Sequence, residues 1–302
     1  MSARDLKTLP DPIERIRNML SGRFQKAAVS NDNNPNGLAP NIEVVTVDNT
    51  ANWFPRDPLA EIYHFRGKGV DALGWRNHIN FMNTPIKGLH SETDNSDMQG
   101  TVYLVKRFND GEIACVVRVH PSIDTYGRDV SMLGKNLPDL IDRDLLPQSH
   151  DYYETSRVIV DDERLPRRLP NGEKNLDRNK AALECLASSV VYSNSKGIKG
   201  FFCFMPTSIW NVAYKSMGME VSPIGPKTMI RDHHDSEAYE VFAGKMDFTP
   251  EALENVFRTT GFTEEMLDYG SDPDEIIQKI IEYSQSVDNA DNSDNLLHRT
   301  KG

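Results

Sequence analysis

The sequence predicts a three-layer α/β fold, with helices on both faces of a mostly antiparallel central sheet. Three observations predict it. Short runs rich in β-branched and aromatic residues recur through the middle of the chain, and two of them flank Asp110-Gly111, a tight-hairpin signal. Two helical patterns are interleaved with strands further on, so the order is strand, strand, strand, helix, strand, helix, strand. With 302 residues the chain is long enough to bury a substantial core.

The elements follow in chain order. A short helix is expected at 11–20, and "VSNDNNPNGLAPN" (29–41), rich in Asn, Pro and Gly without periodicity, reads as a flexible linker, so residues 1–41 form an amino-terminal extension. The domain proper is expected over 42–262. Helical material precedes "TVYLVKR" (101–107) and "EIACVVRV" (112–119), the two arms of the hairpin. "YYETSRVIV" (152–160) is the third strand. The helix "NLDRNKAALECLASSVVYSNSKG" has Asn175 or Asp177 as its cap, Ala182, Leu183, Leu186 and Val190 at helical spacing, and Gly197 as its stop. "FFCFMP" (201–206) is a buried strand, "TSIWNVAYKSMG" a helix ended by Gly218, and "AYEVFAGKMDF" the last strand. Residues 263–302 are expected to hold an added helix, "DPDEIIQKIIEYSQ", and a disordered polar tail.

Composition narrows the function classes. Lys plus Arg at 34 against Asp plus Glu at 45 gives a net charge of −11, which argues against a general nucleic-acid binder and makes any basic contact local. Cys115, Cys185 and Cys203 have no CxxC spacing, so neither a disulfide framework nor a zinc ribbon is indicated. No apolar run has signal-peptide or membrane-spanning character, and a cytoplasmic protein without a membrane span is expected. Neither GxSxG nor GxxxxGK[ST] occurs, and in "RGKGVDALG" the third glycine comes too late for a dinucleotide loop. Adjacent His233 and His234 are poorly arranged to hold one metal, and no metal is expected.

Two polar stretches keep alternative readings. "SETDNSDMQG" (91–100) has Asp97 where a calcium loop needs glycine, which leaves a solvated acidic loop or carboxylates facing a cationic substrate. "RLPRRLPNGEKNLDRNK" (164–180) is either a solubilising loop or a local basic patch suited to an acidic partner. In the third strand, Glu154 and Arg157 stand three positions apart and point to opposite faces of a flat ladder, so each needs its own partner. An edge strand with both charges in water would also satisfy them.

Taken in order, "SETDNSD", "YLVKRFNDGEIACVVRVHP", "YYETSR", a helix, "IWNVAYKSMGMEVSPIGP" and "SEAYEVFAGKMDFTPEAL" resemble the acyl-homoserine-lactone synthases, the LuxI-type autoinducer synthases of bacterial quorum sensing. Glu92, Asp94, Asp97, Tyr103, Gly111, Arg118, Pro121, Glu154, Ser156, Arg157, Gly218, Gly225 and Pro226 match the family pattern over residues 92–261. The resemblance implies a GNAT-like fold and a reaction between S-adenosylmethionine, a substrate rather than a cofactor, and an acyl thioester. It makes Glu154, Asp94, Arg118 and Arg157 the catalytic candidates, with Glu154 accepting the amine proton. Asp97 and Ser156 join the substrate site, and Arg66 and Trp75 stand for the residues that close over the substrate. Val70 lies near the place of the family's aromatic residue, for which Phe81 is the substitute, and the interval from Trp75 to Asp94 is longer than in the family. "FFCFMPTSIW" lines the acyl channel, with Phe204 on it and Thr207 near C3 of the chain. The donor is expected to be acyl carrier protein, docked on Arg164, Arg167, Arg168 and Lys174; acyl-CoA is the other donor. Two rival readings are a related N-acyltransferase that makes no lactone and a non-catalytic sensor of acyl thioester or adenosylmethionine.

Overall fold

The computed structural model describes residues 34–47, 58–72, 96–97, 100–230 and 238–270. The helix expected at 11–20, Trp75, Phe81, Glu92, Asp94, His233, His234 and the helix expected beyond 270 lie outside the described residues. Among the described residues nine strands form one sheet: β1 (Leu38–Thr46), β2 (Val102–Phe108), β3 (Ile113–Pro121), β4 (Tyr152–Val160), β5 (Gly200–Pro206), β6 (Ser222–Pro223), β7 (Thr228–Ile230), β8 (Tyr239–Asp247) and β9 (Leu267–Asp268). The spatial order is β6-β8-β5-β4-β3-β2-β1-β9, with β7 also on β8. Only β4 with β5 and β1 with β9 run parallel among these pairs. Antiparallel pairing therefore dominates, as the sequence predicts.

The hairpin closes at Gly111, whose φ of 94° lies in the left-handed region that only glycine enters freely. Both arms are buried along their length because helices cover both faces of the sheet. On one face lies α3 (Leu176–Ser195), started by the Asn175 side chain, which accepts from the Asp177 and Arg178 amides. Its Cys185, Leu186 and Val190 pack with Leu104, Cys115, Val117 and Val119. Beside it lies α4 (Pro250–Thr260), capped by Thr249 and ended by Gly261 at φ 68°. The opposite face is covered by α1 (Pro58–Ala72), whose Ile62 joins Val45, Tyr103, Val105, Val116 and Ile159. The second glycine of "RGKG" has a packing reason: a Cβ on Gly69 would collide with the Ile159 side chain, so the helix can lie close on the sheet. A fourth helical piece, α2 (Met132–Asn136), leads towards β4.

Three expectations need correction. Residues 38–41 are strand rather than linker: Leu38 pairs with Phe108, Lys106 Nζ donates to the Pro40 carbonyl at 3.2 Å, and the register shift between Leu38 and Ile42 accommodates a proline that has no amide proton. The domain does not end at 262, because Leu267 and Asp268 pair with Ile42 and Glu43. Both ends are fixed by long-range pairing, which local composition does not report. "TSIWNVAYKSMG" is not one regular helix: an α-turn at Thr207–Ile209 runs into a π-turn at Trp210–Tyr214, with Lys215 N–H on the Trp210 carbonyl at 3.1 Å. That turn sets both aromatic side chains into the core, with Trp210 stacked on Phe242. Gly218 does terminate the segment, at φ 70°.

Candidate active site

Strand register builds the site. Paired residues share a face, so Tyr103, Arg118 and Ser156 form one row across β2, β3 and β4. His120, Glu154 and Phe202 form the next row, across β3, β4 and β5. Tyr103 belongs to the cluster under α1, which places both rows on the α1 side of the sheet.

β4 is an interior strand, so its charges are not at a wet edge. Glu154 is fully buried and Arg157 is 8% exposed. The flat-ladder expectation for this pair also fails, because β4 carries a bulge. Val116 to Arg118 on β3 spans the same stretch as Ser156 to Ile159 on β4, which has one residue more. The bulge falls at Arg157, at φ 55° the only non-glycine residue with positive φ among the described residues. Holding arginine in this region costs about 1–2 kcal/mol relative to ordinary backbone. The bulge resets the alternation, so Ile159 returns to the α1 face with Ser156.

A buried ionic cluster lies over the first row. Arg66 Nη1, from α1, donates to both carboxylate oxygens of Asp97, at 2.9 and 3.0 Å. Arg118 Nη1 reaches Asp97 Oδ1 at 2.9 Å while its Nε donates to Ser156 Oγ at 3.0 Å. The Tyr103 hydroxyl hydrogen-bonds with both Arg66 and Asp97. Asp97 is thereby the link between two guanidiniums. Burial pushes the Tyr103 phenol well above its ordinary range; the two arginines pull against that, and Asp97 adds to it. Its proton stays in place across the working pH range.

Glu154 sits at a fork. Pairing of β4 with β5 covers Tyr152–Glu154 against Gly200–Phe202, and the strands then part: β4 continues along β3 to Val160 and β5 along β8 to Pro206. At that point Glu154 Oε2 accepts from the Met132 amide at 2.7 Å and the Leu133 amide at 3.3 Å, the first residues of α2. His120 Nε2 lies 3.6 Å from the same oxygen, and both side chains are fully buried. Next to the carboxylate is an apolar cluster of Leu133, Ile141, Leu146, Phe202, Ile224 and Ala243, with Phe204 packed on it. Phe201 points to the α3 face instead and is core.

The remaining candidates are dispersed. Thr207 Oγ1 donates to Glu240 at 2.8 Å, and Glu240 also accepts from Lys227 at 2.9 Å. These two hydrogen bonds hold the Glu240 carboxyl below its usual range. Arg164 is engaged within the chain: its guanidinium stacks on Phe108 at 3.6 Å, pairs with Asp110 at 2.9 Å and donates to the Pro35 carbonyl at 3.0 Å. Arg167, Arg168 and Lys174 are exposed, with Arg168 and Lys174 bridged across the turn. The structure thus brings together Arg66, Asp97, Arg118, Ser156, Glu154 and Phe204, while Thr207 is engaged with Glu240 at the end of β5 and the basic residues lie on the loop after β4. Sequence reasoning missed His120 and the two α2 amides. The histidine had a signal, being two residues after Arg118 on one strand and so on its face; the amides had none, since they reach Glu154 only through the fold.

The autoinducer synthase family profile matches residues 58–256 of the chain. None of the curated protein sequences matches it. Among solved structures, BjaI, described as a CoA-dependent acyl-homoserine lactone synthase with SAM and isopentyl-CoA, aligns with a TM-score of 0.57 at 18% identity, over 81% of this chain and 99% of that one. MesI, also described as CoA-dependent, aligns at 0.52 and 20% identity, over 75% and 98%. TofI, solved with an inhibitor and MTA, aligns at 0.52 and 20% identity, over 72% and 96%. At these identities the likeness speaks for the fold.

Proposed function

The chain belongs to the autoinducer synthase family, and on that premise we propose that it acylates the amine of S-adenosylmethionine from an acyl thioester and closes an acyl-homoserine lactone, releasing methylthioadenosine. The observation that carries the reading is the meeting, at the fork of β4 and β5, of a buried carboxylate, a paired-arginine cluster and an apolar wall. A substrate bearing an ammonium, a carboxylate and a sulfonium needs anionic and cationic groups at separate places, and an acyl chain needs a dry one. Glu154 accepts a proton from the ammonium, and the freed amine attacks the thioester carbonyl. The C–S bond breaks and the thiolate takes up a proton. The substrate carboxylate then displaces at Cγ, and the sulfonium leaves as a neutral thioether. Arg118 and Arg157 are the candidates for orienting the carboxylate, with Asp97 and Arg66 fixing the angle of Arg118 and Ser156 its Nε. Asp94, Trp75 and Phe81 keep the substrate-side roles that the family resemblance implies.

The acyl donor in this reading is acyl carrier protein. Exposed Arg167, Arg168 and Lys174 on an otherwise acidic chain support it, as steering of an acidic partner. Arg164 contributes by shaping the loop. Acyl-CoA is the second reading, favoured by the descriptions of BjaI and MesI as CoA-dependent.

The test incubates the purified full chain with S-adenosylmethionine and either acyl carrier protein or CoA thioesters, and reads products by mass spectrometry. Lactone, methylthioadenosine and free thiol are expected together. An N-acyl amino acid without lactone would sink the ring-closing step, and no turnover with any donor would favour the sensor. With the carrier protein as donor, Arg168→Glu with Lys174→Glu raises KM several-fold at low salt, an effect that fades as salt rises; equal KM values at low salt remove the docking role.

A further inference from the structure

Resting on that reading, we propose that His120 is the positioning residue for Glu154, a buried imidazole that relays and shares the proton the carboxylate takes from the attacking amine. Three observations carry it. His120 and Glu154 are directly paired across β3 and β4, so their side chains rise from the same face at adjacent positions. Both are fully buried, with His120 Nε2 3.6 Å from Glu154 Oε2. The other ring nitrogen, Nδ1, lies 3.1 Å from the Pro121 carbonyl oxygen. A carbonyl can only accept, so Nδ1 carries a proton, and the neutral ring turns its basic nitrogen towards the carboxylate.

The proton balance shows what the pair adds. Amide formation removes two protons from an ammonium nitrogen, and the leaving thiolate takes up one. A lone carboxylate that has accepted the first proton is spent until it loses it. With His120 beside it, the first proton passes from Glu154 to Nε2, leaving carboxylate and imidazolium, and Glu154 is ready for the second. One proton goes back to sulfur and the other leaves with the imidazolium's return to neutrality. The transfer needs an approach of about 0.7 Å, from 3.6 Å to a hydrogen-bond distance of about 2.9 Å. The loaded pair is neutral overall, so the proton can be stored in a buried place without leaving an uncompensated charge.

Among the described residues, the charged and titratable neighbours are these. Arg118, two residues before His120 on β3, is tied to Asp97, and that cluster is completed by Arg66 and Tyr103. On β5, Cys203 feels the Glu154 charge, which adds to burial in pushing its thiol up. Before α2, Asp129 is taken by the amide and hydroxyl of Ser131, at 2.8 and 2.6 Å. Among the described residues, Glu154 is the carboxylate that the structure places beside the ring.

The experiment has an arm that needs no turnover. The imidazole signals of wild type are followed by NMR against pH, with His120 assigned by its loss in His120→Gln. A neighbouring carboxylate favours imidazolium, so Glu154→Gln shifts the His120 titration to lower pH; an unmoved titration overturns the inference whether or not the enzyme turns over. In the activity arm, His120→Gln lowers kcat about tenfold, short of the loss from removing the base itself, with both KM values within a factor of two and the pH–rate limb displaced. An unchanged kcat and pH profile in folded His120→Gln overturns the relay. Absence of activity in wild type with every donor counts against the proposed function and leaves the NMR arm to decide on the pair.

Discussion

The two faces of the central sheet are made by alternate residues of the same strands, yet they differ in kind. Towards α3, Leu104, Cys115, Val117 and Val119 meet Cys185, Leu186 and Val190 in close apolar packing, and even the ion pair there, Lys106 with Glu184, ties helix to strand. Towards α1, the intervening positions of β2, β3 and β4 hold Tyr103, Arg118, His120, Glu154 and Ser156 beside Val105, Val116 and Ile159, which pack under Ile62. The first face holds the layers together through the hydrophobic effect, at about 1.5–3 kcal/mol for each large side chain buried. The second buries charges whose desolvation works against folding and is offset only by their pairing. The α3 face is built for packing, whereas the α1 face combines its own apolar cluster with the buried charges on which the proposed chemistry rests.

Glu154→Gln is expected to make the largest break in this contrast. The amide keeps the shape and can still accept from the Met132 and Leu133 amides, so folding is retained, while loss of the base lowers kcat about 100-fold or more. Thermal melting alongside product assay checks it; wild-type turnover would refute the proton-accepting role. Next comes Arg118→Met, which leaves the buried Asp97 short of one of its two guanidiniums. It is expected to lose about 3–5 kcal/mol in urea unfolding, showing that the chemical face can still damage the fold when a charge is stranded. Leu186→Ala probes the other face: about 2–5 kcal/mol of stability is lost to a cavity, with kcat of the folded fraction unchanged. A fall in kcat there would mean that the faces are coupled.

Much of this division was legible in the sequence, because period-two alternation and the Asp110-Gly111 turn are local signals. The hairpin and the helix with its cap at Asn175 or Asp177 follow from residue type and spacing, whereas the ordered set from Asp97 through Arg118 to Glu154 stood out only through the family resemblance. What escaped depends on contacts far apart in sequence. Leu38–Pro40 reads as linker until Phe108 and Lys106 are beside it. Leu267 and Asp268 become strand only by lying along β1. The pairing of His120 with Glu154 requires the β3–β4 register, and that register contains a bulge no alternation pattern reveals. Arg164 read as part of a docking patch because its charge was visible, whereas its stack on Phe108 and its pairing with Asp110 were not.

The smallest expected effect is the most specific test of how the faces are joined. Arg157 occupies the bulge that resets β4, at φ 55°, where glycine has no steric penalty and every other residue is strained. Comparing Arg157→Ala with Arg157→Gly removes the side chain in both and leaves the strain only in the first. At an ordinary strand position glycine is the less stable of the two by about 0.5–1 kcal/mol, because it loses more chain entropy on folding. Here the left-handed penalty of about 1–2 kcal/mol acts in the opposite direction, so the glycine variant should match the alanine variant in stability or exceed it by up to about 1.5 kcal/mol. Midpoints of urea unfolding read the difference, and alanine above glycine would mean that the bulge does not hold its strain in solution. Activity should follow neither midpoint: in the proposed role the guanidinium binds substrate, so both variants lose turnover together. A strained residue whose relief improves the fold without improving the enzyme is one kept for its side chain.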